Sequence, residues 1–416
     1  MSNHPPTVLL GWELGGGFGH ANNQLRLASA LAARGCRPVL VLRDLTGPGP
    51  ILRDCPFPIL QGPLFTTPRV GPSSGFMARS YADILARIGF ADADDLLMLV
   101  RGWLALLDLV RPDLVICDHS PTLCLAASGV VPTALIGNGF ALPPADVQVF
   151  PPLAPEQPPL VEQERLLEVV RDVQRRLGRP LADTLPGTFR GTARFLTVLP
   201  ELDAYRELRT EPWLGPFEPL PPPLPPPERA SFFAYLSTEM PRWEAILTCL
   251  ARTGVPGRAF VRNADAAGRQ RLRALGLDVA ERPVPLASEL ATCAVVVGQG
   301  GIAFPSAALA AGRPQLLFPA HLEQLLNARR LHGLGVAHFL TGQFPAAEVG
   351  EGLRQLLHEP RFLQRARAAA EAVHTAGPWN PLESIVARCL RLCEARSGSV
   401  HPSNPPASLA PKEYPA

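Results

Sequence analysis

At 416 residues the chain has room for two domains of ordinary size, each with its own core. Hydrophobic residues make up 47% and charged residues 18%, a globular rather than a disordered composition. A formal net charge of +2 with no block of like charges implies neither nucleic acid nor an acidic membrane as a partner, so no nucleic-acid partner is expected, and the single lysine, Lys412, excludes Schiff-base and P-loop lysine chemistry from the body of the protein.

In chain order, the start "MSNHPP" lacks the basic and apolar regions of a signal peptide, and no apolar run reaches the ~18 residues of a membrane span. The expectation is a soluble cytoplasmic protein with at most peripheral membrane contact. "TVLLGW" (7–12) reads as a strand, "NNQLRLASALAARG" (22–35) as a helix closed by Gly35, and "RPVLVLRD" (37–44) as a strand. That is a βαβ unit, so a parallel sheet is expected. "ADADDLLMLVRGWLALLDLV" (91–110) is a helix with an acidic first turn, followed by the strand "PDLVICD" (112–118), the helix "PTLCLAASGV" (121–130) and the strand "PTALIGNGF" (132–140). An amphipathic helix surrounds "QERLLEVVRDVQRRLG".

The polyproline stretch "GPFEPLPPPLPPPE" (215–228) is a semi-rigid spacer, after which the alternation of strands and helices restarts. The expected organisation is an α/β domain over 1–214, a linker over 215–229, and a second α/β domain over 230–378. A last helix over 379–396 returns toward the first domain, and 397–416 forms a disordered tail. Eight cysteines without C-x-x-C spacing read as reduced core thiols, not as a zinc site.

Two glycine turns carry the chemistry. "GWELGGGFGH" (11–20) misses the dinucleotide fingerprint G-x-G-x-x-G because His20 stands where the third glycine belongs, although Asp44 sits near the position of an acidic ribose ligand. Its glycines, Gly16, Gly17 and Gly19 among them, permit close backbone approach and positive φ, and the helix behind them offers free N–H groups. His20 stands at that helix start, either facing the cleft or serving only as a capping or packing residue. The second turn is Gly298-Gln299-Gly300-Gly301, with a helix beginning near Pro305-Ser306 and ending before Gly312. Glu323 and Asn327 share a helix face, a pairing suited to sugar hydroxyls or to solvent.

The segment "QGGIAFPSAALAAGRPQLLFPAHLEQLLNARRLHGLGV" (299–336) resembles, without gaps, the donor-site signature of the UDP-glycosyltransferase family. "PDLVICDHSPTLCLAASGVVPTALIGNGF" resembles the first-domain segment carrying that family's catalytic aspartate. There is similarity also to the N-acetylglucosaminyltransferase of peptidoglycan synthesis. The resemblance implies a GT-B fold, with two Rossmann-like domains facing across a cleft. It further implies an inverting, metal-independent glycosyltransferase that needs no cofactor and uses a UDP- or dTDP-type nucleotide sugar as substrate. The acceptor would be a hydroxyl of a small molecule, a lipid-linked compound or a glycan.

Residue by residue, His20 matches the family's general base and Asp118 the carboxylate that orients it. Gly300 and Gly301 match the diphosphate turn, and Glu323 and Gln324 the pair that binds sugar hydroxyls. His321 and Asn327 flank that pair, and Ser306 stands near the start of the anion-binding helix. Four residues depart from the pattern, one of them Ala303, which stands where glycine is usual. Gln299 replaces a histidine, Phe304 a threonine, and Ala307 a glutamate that usually holds the ribose. The contrasting expectation drawn from these departures is a non-catalytic GT-B protein that binds a nucleotide, a glycan or a partner enzyme. Two other motifs are set aside. "GPSSG" (71–75) lacks the strand a nucleophile elbow needs. "DADD" (92–95) opens a helix, where acidic residues cap, and His119 reads as a polar loop residue.

Overall fold

The computed structural model describes residues 4–398 except 17, 69, 72–75 and 155. Gly17, most of "GPSSG" and residues 399–416 of the tail therefore lie outside the described residues.

The chain forms two parallel six-stranded sheets. The first contains β1 (Thr7–Trp12), β2 (Arg37–Leu42), β3 (Ile59–Gln61), β4 (Leu114–Asp118), β5 (Thr133–Gly137) and β6 (Ala193–Leu196), in the order β3-β2-β1-β4-β5-β6. The second contains β7 (Phe232–Ser237), β8 (Gly257–Arg262), β9 (Asp278–Val279), β10 (Val295–Gly298), β11 (Gln315–Leu317) and β12 (Ala337–Phe339), in the order β12-β11-β10-β7-β8-β9. The two orders are the same doubly wound topology. In each sheet the first strand pairs with the fourth, and the strand order reverses between them. That reversal opens a crevice at the carboxyl ends of the strands, where ligands of such folds sit.

The sequence accounts for the layers. β4 and β5 are buried along their whole length, as strands covered by helices on both faces must be. The helix Ala93–Val110 turns Leu96, Val100, Trp103 and Leu107 inward. "DADD" is its cap: the Asp92 carboxylate accepts from the amides of Asp94 and Asp95 at 3.0 and 3.1 Å. The last helix, Pro381–Gly398, buries Ile385, Val386, Cys389 and Cys393 against β1, β2, β4 and the helix Phe18–Ala32 of the first sheet. All eight cysteines are free. The polyproline stretch is tied to the second unit by the fully buried Arg313, which donates to the carbonyls of Leu290 and Pro225 at 2.8 Å each. Among the described residues no helix is long and apolar enough to cross a membrane.

Two helix starts differ from the sequence reading in ways that bear on the cleft: the helix expected over 22–35 spans Phe18–Ala32, so His20 is its third residue. The helix after the second glycine turn begins at Ala303, two residues before Pro305. Pro305 is thus the third helical residue, where its missing N–H removes one of the donors that a first turn leaves unbonded.

Candidate active site

β1 and β4 run in register, with Trp12 opposite Asp118. The glycine turn leaves β1 at this point and returns His20 over the end of β4. The Nδ1 atom of His20 lies 3.0 Å from both carboxylate oxygens of Asp118, which is buried. A carboxylate can only accept, so Nδ1 carries the proton and donates, leaving Nε2 as the basic nitrogen. The imidazole stacks on Trp12, with centroids 5.4 Å apart and an interplanar angle of 16°. Gly15, at φ +88°, passes so close beneath the ring that a Cβ there would lie 2.5 Å from His20 Nε2. The glycine at this point is therefore a clearance for the histidine. Burial pulls the imidazole pKa down, but the charge and hydrogen bond of Asp118, with Glu323 adding from across the cleft, outweigh it and hold the pKa above 6.5.

The opposite wall comes from the second sheet. Gly300 sits at φ +92°, and a Cβ there would meet the Gln324 carbonyl oxygen at 3.0 Å. The first helical hydrogen bond runs from the Ser306 amide to the Ile302 carbonyl, so the amides of Ala303 and Phe304 precede it and point out of the helix start. Between the two walls lies a cavity of about 330 Å³, lined by Gly16, Gly19, His20, Asp118, Gln299, Gly300, Gly301, His321, Glu323 and Gln324 among others.

The walls touch. Asn138, just beyond β5, accepts from the Ala141 amide through its Oδ1 at 2.9 Å, which turns its Nδ2 to Glu323 Oε1 of the second sheet at 2.6 Å. Farther along, Arg330 donates to Glu207 at 2.9 Å and Arg329 to Glu156 at 3.2 Å, so ion pairs also bridge the two walls beyond the cavity.

The structure brings together most of the residues singled out from sequence, with four differences. Ser306 does not line the cleft. Its hydroxyl turns back onto the Ile302 carbonyl at 2.7 Å, as mid-helix serines do once the helix starts early. Asn327 is buried and donates to the Gly300 carbonyl at 2.9 Å, which makes it a brace of the glycine turn and not a partner of Glu323. Gln324 lines the cleft, but its Oε1 accepts from the Ala320 amide at 2.9 Å, so the NH₂ end is the one presented. His119 does stand in a loop, between β4 and the helix Pro121–Ala127, but it does not face solvent. It is buried beside Tyr81 and Phe140, and burial, then the charges of His20 and Arg43, push its pKa down to about 3.

Two further positions are explained by packing. Phe304 is buried against Phe233 and edge-on to Tyr235, with its ring over Gly298, so its bulk lies against the sheet more than in the cleft. Asp44 accepts from Thr46 and the Gly47 amide and closes its own turn.

Sequence reasoning missed Asn138, Thr197, Ser237 and Arg262, all of which line the cavity. Each stands at the last residue of a strand or the next one, and the rule that ligands collect at carboxyl ends of strands would have flagged them. It also missed Glu13, buried beneath the first turn and held by Trp103 Nε1, the Thr122 hydroxyl and the Thr122 amide. Among the described residues no group of three or more His, Cys, Asp or Glu is arranged to hold a metal ion.

No protein-family model matches the chain. A stretch of 91 residues is 40% identical to the elloramycin glycosyltransferase ElmGT of Streptomyces olivaceus, and covers 22% of this chain and 22% of that one. A stretch of 99 residues is 34% identical to the aclacinomycin-T 2-deoxy-L-fucose transferase of Streptomyces galilaeus, covering 23% of this chain and 22% of that one. The sequence matches thus span under a quarter of these relatives. The fold likeness spans nearly everything. The calicheamicin glycosyltransferase CalG4 superposes with a TM-score of 0.68 over 95% of this chain and 100% of its own, at 18% identity. The glycosyltransferase VinC, solved with dTDP, gives 0.62 over 94% and 100%, also at 18% identity. The fold is that of the GT-B glycosyltransferases.

Proposed function

We propose that the protein is an inverting, metal-independent glycosyltransferase that moves a sugar from a nucleoside diphosphate of the dTDP or UDP type to an acceptor hydroxyl. The observation that carries this reading is the His20–Asp118 pair opening on a cavity whose far wall is a glycine turn and a helix start. His20 Nε2 takes the acceptor's proton as the oxygen attacks the anomeric carbon. The diphosphate departs on the opposite face, toward the amides of Ala303 and Phe304, and that displacement inverts the anomeric centre. Glu323 and the Gln324 amide hold sugar hydroxyls, and a hydroxyl takes over the bond that Asn138 now makes to Glu323.

Two likenesses narrow the substrates. VinC is solved with dTDP, and the two sequence relatives are named for elloramycin and aclacinomycin. A dTDP-activated sugar and a hydroxylated aglycone of the antibiotic type are therefore the first to try. Transfer from a panel of dTDP- and UDP-sugars, read by mass spectrometry with the product anomer assigned by NMR, tests the reading. Product with retained configuration, or turnover unchanged by His20→Ala, would overturn it, and loss of activity in EDTA would remove the metal-independent part. A protein that binds dTDP but turns over nothing on the panel is the non-catalytic reading instead, for which Gln299 and Ala307 are the motivating residues.

A further inference from the structure

The donor wall has a charge problem. The side chains lining the cavity include three carboxylates, Asp118, Glu218 and Glu323, and Gln299 cannot carry the positive charge of a histidine. Pro305 also removes one helix-start N–H. A diphosphate entering this space needs a cation. Among the described lining residues the only arginine or lysine is Arg262. Arg43 also lies near His20, but it donates to the Gly15 carbonyl at 2.7 Å on the first-sheet side and does not line the cavity.

We propose that Arg262 binds the diphosphate of the nucleotide-sugar donor, supplying from the end of β8 the charge that Gln299 does not. The inference rests on the donor reading above.

The sheet order puts it within reach. β10, β7 and β8 are neighbours, and the glycine turn leaves β10. Gly298 pairs with Tyr235, and Ser237 with Arg262. Strands lie about 4.8 Å apart, so Arg262 starts roughly 10 Å across the sheet edge from the turn. The diphosphate and the arginine side chain meet over the intervening β7 end. There the Ser237 hydroxyl already takes a bond from Arg262 Nη2 at 3.3 Å. Arg262 Nη2 also donates to Glu239 at 2.9 Å, but Glu239 is two-thirds exposed, and a water-facing ion pair is readily exchanged for a less solvated dianion.

The test is calorimetry with dTDP and UDP against thymidine and uridine, which lack the phosphates. Arg262→Gln should weaken dTDP and UDP binding about ten- to a hundredfold, leave thymidine and uridine within twofold, and flatten the salt dependence. Glu239→Gln, which removes the competing carboxylate, should tighten dTDP a few-fold. Adding Gln299→His to Arg262→Gln should recover part of the loss, more at pH 6 than at pH 8. If wild type binds dTDP and Arg262→Gln binds it equally well, this inference falls and the donor reading stands. Equal weakening of dTDP and thymidine also overturns it, because Arg262 would then be shaping the site rather than holding phosphate. If wild type binds neither nucleotide at millimolar concentration, both readings fall together.

Discussion

The two glycine turns do similar topological work by different physical means. The first delivers a side chain: β1 and β4 are in register, and His20 is fixed by Trp12 on one face, Asp118 at Nδ1 and Gly15 beneath Nε2. Every contact there is atom-specific, and His20 and Asp118 both match the pattern of the family the sequence resembles. The second delivers backbone: a positive-φ Gly300, braced by Asn327, leads into the start of a helix. Amides keep their geometry whatever side chains they carry, so that turn retains its shape with Gln299, Phe304 and Ala307, and what Gln299 leaves unsupplied is charge, not donors. The departures from the resembled pattern noted in this chain thus lie on the side where backbone does the recognising.

The largest break in this comparison is His20→Ala. It should lower kcat about a thousandfold and leave the Kd for dTDP within twofold, because in the proposed mechanism the base serves the acceptor and not the donor. A comparable loss of dTDP affinity in isothermal titration would mean that the turns are not separable. Asp118→Asn should cost about a hundredfold in kcat/KM, and its pH profile is the sharper readout. A base must be unprotonated, so wild-type kcat/KM rises with pH through a pKa above 6.5, the direction that Asp118 imposes against burial. Removing the charge moves that limb to lower pH while the plateau drops. A limb that stays in place shows that another group titrates.

A matched pair of glycine substitutions sharpens it further. Gly15→Ala places a methyl 2.5 Å from His20 Nε2, and Gly300→Ala places one 3.0 Å from the Gln324 carbonyl, each at positive φ. Backbone strain of about 1–2 kcal/mol is common to both, so the difference lies in what the methyl displaces. Gly15→Ala should lower kcat about tenfold with dTDP affinity kept, and Gly300→Ala should weaken dTDP about tenfold. Gly16→Ala, whose added Cβ meets nothing within 4 Å, should change neither much.

Much of this was legible in the sequence because it depends on local pattern. The strand 7–12, the helix after "DADD" and the glycine turns follow from periodicity and caps, and His20, Asp118 and Glu323 followed from resemblance at those motifs. What was not legible depends on which strand ends become neighbours. Asn138 and Glu323 are 185 residues apart, and Arg262 and Ser237 meet only because β8 pairs with β7. Ser306 turned inward for a smaller reason: its helix starts two residues earlier than the spacing suggests, which shifts its place around the axis by about 200°, since each residue advances by about 100°; Asn327 stands on another helix and reaches the Gly300 carbonyl only through tertiary packing. No spacing rule reveals that the Ser306 hydroxyl ends on a carbonyl.

The smallest effect lies under the first turn. Glu13 is buried, and although Thr122 and Trp103 donate to it, desolvation dominates and pushes its pKa up from 4.5 to about 7. A carboxyl with a raised folded-state pKa binds its proton more tightly in the fold than in the unfolded chain. Its contribution to stability is therefore full below pH 4.5 and is lost as pH rises to about 7. The loss is of order 3 kcal/mol at most, and part of it is recovered by relaxation of the site. Glu13→Gln keeps the shape and cannot titrate. The difference in unfolding free energy between wild type and this variant, followed by denaturant melts from pH 4.5 to 8, should move against wild type as pH rises and level off above about 7. Because Glu13 lies next to the turn that carries His20 yet outside the cleft lining, kcat should change far less than stability does. A flat difference would show that the Thr122 and Trp103 hydrogen bonds fully offset burial. A large fall in kcat would show that the first turn is positioned by this carboxyl as well as by the register of β1 and β4.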